Sequence, residues 1–128
     1  MWSRMMENTI FLLDIYGHYP SLENVEVTRL EIDRNGPSLT ICFQSKVRPY
    51  KPPRKWGSFN RVHFEINYFG LKKINVSQFL GTGSTTIRMW DQDDGIAMEC
   101  RGAVSVESRC KFARIAKITG LLVDEDSH

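Results

Sequence analysis

A hydrophobic period of two, restarting after every turn signal, decides the fold class of this chain. Its cleanest run is Val62, Phe64, Ile66 and Tyr68, with His63, Glu65 and Asn67 on the opposite parity. Such alternation places one face of a strand in a core and leaves the other in water. Leu39, Ile41 and Phe43 repeat it, as do Ile87 with Met89 and then Ile96, Met98 and Cys100. Val104, Val106, Cys110 and Phe112 continue the period, and Ile115 and Ile118 read as the end of that strand or a short last one. Val25 and Val27 keep one phase and Leu30 and Ile32 the other, so a bulge is expected near Thr28 and Arg29. Asp33-Arg34-Asn35-Gly36 and Gln92-Asp93-Asp94-Gly95 carry hairpin chemistry. Gly70 and Gly102 read as further stops, residues 81–84 as a loop, and Leu71–Ser77 as a weaker strand.

The connections are too short and too polar for helical crossovers, which favours antiparallel neighbours. The expectation is a mainly β (α+β) fold, an antiparallel sandwich or strongly curved sheet of about seven to eight strands. A short helix over residues 9–16 precedes it, with Asn8 as cap, Ile10, Leu13 and Tyr16 on the apolar face, and Gly17 as stop. A helix this short is stable only when docked. The 128 residues are expected to form a single domain, 1–128, large enough for one core without staples.

One segment departs from the alternation. Lys46-Val47-Arg48-Pro49-Tyr50-Lys51-Pro52-Pro53-Arg54-Lys55-Trp56 holds three prolines, which remove three backbone donors and fix three φ angles. It reads as a stiff, extended connection or edge that displays five cations and two aromatics, guarded by proline against pairing with another chain. Phosphate contact and base stacking would use these residue types. Against that reading, the formal net charge is only +2 and the strands show no stacking-aromatic signature. A surface loop with Trp56 anchored against Pro52 and Pro53 is favoured, and a nucleic-acid-binding module built on 46–56 is the alternative.

No catalytic set emerges from spacing. His18, His63 and His128 are scattered, His63 falls on a polar strand face, and no metal-ligand pattern is present. Asp91–Gly95 misses the calcium-loop pattern, and 81–84 lacks the lysine of a phosphate loop. Cys42, Cys100 and Cys110 form neither a disulfide framework nor a CxxC pair, so reduced thiols in a cytoplasmic protein are expected. Ile10–Leu13 is too short for a signal-peptide core, and no run reaches membrane-span length. Glu23, Glu26, Glu31 and Asp33 form an acidic strip, read as a solvated face and secondarily as an electrostatic docking patch. The expectation is therefore no enzyme, no metal and no cofactor.

Three motifs in order carry a family resemblance. The first runs from Tyr16-Gly17-His18-Tyr19-Pro20-Ser21-Leu22 into the acidic strand. The second is the hairpin Asp33-Arg34-Asn35-Gly36-Pro37-Ser38-Leu39-Thr40. The third is Pro52-Pro53-Arg54-Lys55-Trp56 followed by Phe59-Asn60-Arg61-Val62, and Cys110–Ile115 is similar to the family's closing strand. Together they resemble the bacterial immunity-protein family numbered fifty among polymorphic-toxin systems, over nearly the whole chain.

The resemblance implies an antitoxin in the cytoplasm that binds one cognate protein toxin domain and blocks it, without catalysis and without a cofactor. It casts Pro20, Ser21, Trp56 and Phe112 as scaffold positions. A chain this close to neutral is a poor mimic of a polyanion. Partner contact is expected from exposed aromatics and charges: Tyr19, Glu23, Glu26, Tyr50, Arg54, Lys55 and Trp90, the last pointing away from Ile87 and Met89. No membrane and no nucleic-acid partner is expected, and a monomer is favoured.

Overall fold

The structure, a computed structural model, describes residues 6–7, 10–17 and 20–124. Two sheets face each other. The first takes the order β1 (Met6–Glu7), β9 (Phe112–Leu121), β4 (Arg61–Phe69), β3 (Ser38–Ser45), β2 (Glu26–Asp33). The second runs β5 (Lys73–Phe79), β8 (Val104–Cys110), β7 (Gly95–Gly102), β6 (Thr85–Gln92). Every pair is antiparallel except the two-residue β1, which lies parallel to β9. An α-helix, α1 (Ile10–Tyr16), lies between β1 and β2 in the chain.

Alternation becomes a core through the register. Leu39 sits opposite Tyr68, which sits opposite Ala113; Ile41, Ile66 and Ile115 make the next row, and Phe43 and Phe64 stack with ring centroids 5.0 Å apart. Ile87, Met98, Cys100, Val104 and Val106 answer from the second sheet. These side chains form one buried cluster, so the sandwich is held by apolar burial between sheets.

Details read from the sequence recur here. The β2–β3 ladder slips between Val27 and Arg29. Asp33 Oδ1 accepts the Asn35 N–H at 2.8 Å and starts the first hairpin turn. Asp93 and Asp94 both take positive φ, 49° and 60°, as a two-residue hairpin of right-handed twist demands. Gly17 takes φ +75°, and its N–H bonds Leu13 O at 2.9 Å to close the helix. The Asn8 cap lies outside the described residues. The helix buries Ile15 and Tyr16 and leaves Leu13 exposed.

Two expectations need correction. Phe112 does not continue β8. The chain leaves the second sheet at Cys110, turns at Lys111, whose N–H bonds Phe69 O at 2.9 Å, and enters the first sheet as β9. The phase flips there: Ala113 and Ile115 enter the core, while Phe112 stacks on Phe69 outside it, 46% exposed. The last strand is the longest, at 10 residues, rather than a short one.

The proline segment, secondly, is a connection and guards no edge. It joins β3 to β4, two adjacent interior strands of the first sheet. The Lys51 N–H bonds Ile15 O at 2.7 Å and the Tyr16 hydroxyl donates to Val47 O at 2.9 Å, so the segment is strapped to α1. Trp56 ends a single 3-10 turn and meets Phe59 edge-on at 5.4 Å. The edge of β6 is covered instead by residues 22–25, through a Val25–Thr85 bridge and an Ile87 N–H to Leu22 O bond of 3.0 Å.

Candidate functional site

The sequence-derived contact residues fall on separate elements. Trp90 lies on the outer face of the second sheet, as its parity requires, and is 42% exposed. Its register row runs through Ala97, Arg109 and Lys73. Ala97 is buried although it lies on that outer face. Two shallow grooves share Trp90 as a wall. One, of about 320 Å³, is lined by Lys73, Glu99, Glu107 and Arg109; the other, of about 370 Å³, by Ser21, Glu23, Thr86 and Arg88. Trp90 and Glu23 therefore border one groove. The charges are mixed, and Glu99 holds Arg101 at 2.8 Å.

Glu26 lies elsewhere, on the outer face of the first sheet opposite Gln44. The acidic strip it belongs to is partly engaged locally: Glu31 pairs with Arg29 at 3.0 Å and Asp33 holds its turn. Tyr50, Arg54 and Lys55 belong to the β3–β4 connection, where Tyr50 is 80% exposed. Of the two aromatics there, only Tyr50 is available for stacking, since Trp56 is packed on Phe59. Arg48 lies 4.5 Å over the Phe59 ring and donates to Phe59 O. Tyr19 and His18 lie outside the described residues.

The register also assembles a cluster that spacing did not reveal. Cys42 on β3 is the direct partner of Glu65 on β4, and His63 stands two residues before Glu65 on the same face. Their ligand atoms lie within 4.8 Å of one another. The Cys42 thiol donates to Glu65 Oε1 at 3.5 Å. Burial, then the Glu65 charge and this bond, push the thiol above its ordinary range. Burial and the Lys117 charge hold the His63 imidazole below its ordinary value. A cysteine nucleophile is favoured by a thiol held below its ordinary range, and the surroundings of Cys42 push the other way. Parity alone placed Cys42, His63 and Glu65 on outward faces; only the β3–β4 register brings them together.

Architecture and surface together define a small, mostly antiparallel β-sandwich that leaves Tyr50 and Trp90 exposed. The chain belongs to the Immunity protein 50 family, whose model matches residues 8–121. No curated protein and no solved structure matches it. Among the described residues, no helix is long and apolar enough to cross a membrane.

Proposed function

We propose that this chain is the antitoxin of a bacterial polymorphic or contact-dependent toxin system, acting in the cytoplasm by binding one cognate toxin domain. Membership of the Immunity protein 50 family over residues 8–121 carries this reading. The mechanism is occlusion: a specific interface of about 800 Å² on this side covers the toxin's working surface, and the chain performs no chemistry of its own.

We assign the centre of the contact to the two grooves flanking Trp90, with Glu23 at their rim. A large aromatic standing beside cations and carboxylates is the pattern of an anchor with a polar surround. Tyr50, Arg54 and Lys55 provide a second, basic contact that raises the association rate more than the affinity, and Glu26 and Tyr19 complete the proposed contact set. Trp90→Gln tests the assignment in a pull-down with a toxin domain that this chain is found to bind. Its affinity should fall at least tenfold while far-UV circular dichroism stays unchanged. Undiminished affinity would move the interface away from the second sheet.

A further inference from the structure

We propose that Cys42, His63 and Glu65 form a zinc-class divalent metal site on the outer face of the first sheet. Adjacent strands fix the three donors. Cys42 and Glu65 face each other across the β3–β4 ladder, and His63 and Glu65 share one face of β4 at the strand period of two. All three ligand atoms lie within 4.8 Å of one another, and the thiol and carboxylate already meet at 3.5 Å. Around zinc, with bonds of roughly 2.0–2.3 Å, such donors sit about 3.3–3.8 Å apart, so rotations of about 1 Å complete the set.

The donor chemistry selects the ion. One sulfur, one imidazole nitrogen and one carboxylate oxygen suit zinc and disfavour the hard, all-oxygen ions magnesium and calcium. No group among the described residues hydrogen-bonds the His63 ring, and Cys42 is the only hydrogen-bond partner of Glu65 among them, so binding displaces one weak S–H bond. Two cations stand nearby. Arg29, the β2 partner of Cys42, is held by Glu31 at 3.0 Å. Lys117, the β9 partner of Glu65, forms no ion pair with it and has an exposed chain free to swing outward. Metal entry releases the thiol proton to solvent and changes no oxidation state. Three protein donors leave a coordination position for water or for a side chain of a bound partner.

The test is a titration of the purified full chain with Co²⁺, followed by competition with Zn²⁺. Saturable binding of one ion per chain, with a near-ultraviolet thiolate-to-cobalt band that zinc erases, is the expected result. Cys42→Ser should abolish the band. His63→Ala, at a half-exposed position, should weaken zinc binding at least tenfold while far-UV circular dichroism stays unchanged. Zinc should raise the melting temperature of the parent chain and leave that of His63→Ala unmoved. Absence of saturable binding to the parent chain overturns the proposal. So does full affinity in His63→Ala, which would assign the ion to His18, His128 or another surface group.

Discussion

Gly120→Ala probes how the proline-rich connection is held. Gly120 lies in β9, and a Cβ added there would stand 2.9 Å from Trp56 Cε3, 3.0 Å from Phe59 Cγ and 3.1 Å from Phe59 Cβ. Carbon pairs rest at about 3.5–4.0 Å, so each contact is short by roughly half an ångström or more. The groups involved are ring and Cβ atoms, which cannot swing aside as a flexible chain end could. Overpacking of this kind costs about 1–3 kcal/mol. Alanine returns about 0.4–1 kcal/mol by restricting the unfolded chain. The net expectation is a loss of about 1–2 kcal/mol, read as a lower urea midpoint with an unchanged slope. Trp56→Ala in the same chain should relieve part of it, giving a coupling of about 0.5 kcal/mol or more in the double-mutant cycle. Additive effects, or a neutral Gly120→Ala, would refute the claim that Trp56 is a packing residue seated on β9.

Two further predictions concern the core. Ser108 is buried and its hydroxyl finds no hydrogen-bond partner among the described residues, so Ser108→Ala should leave the urea midpoint unchanged or raise stability by up to about 1 kcal/mol. Burial pushes the Cys100 thiol up to about 12 and the Cys110 thiol up to about 11 from an ordinary 9.0. The folded state thus holds these protons more tightly than the unfolded chain. The stability they contribute is full below pH 9 and falls as pH rises toward 12. Burial raises Tyr16 and Tyr68 as well, which steepens the decline above their ordinary value of 10.0. Urea midpoints measured from about pH 8 to about pH 11 should show that fall, less steeply in Cys100→Ala.

Local features were legible because each rests on neighbouring residues. The alternation of Val62 to Tyr68 became β4 with every second side chain buried, and the phase slip at Val27–Arg29 became the bulge. Trp90 stands outside because Ile87 and Met89 stand inside. Long-range pairing was not legible. Cys110 and Phe112 keep one parity, so nothing local announces that the chain changes sheets between them, although Ala113 and Ile115 carry the flipped phase. The acidic strip and the basic connection each read as one patch, but the candidate contacts divide among three regions of the surface because strand order, set by tertiary packing, decides what is adjacent. The Cys42–His63–Glu65 cluster eluded spacing for the same reason: Cys42 and Glu65, which meet across the ladder, are separated by 23 residues in sequence.

The central claim, neutralisation by direct binding, is tested most directly by co-expressing this chain with a candidate toxin domain taken from its gene neighbourhood. Survival and co-purification would be scored together. The account predicts surviving cells and a stable complex that persists through size-exclusion chromatography. Cell death without a complex, with this chain shown to be folded, would contradict it and redirect attention to nucleic-acid binding by the basic connection around Tyr50.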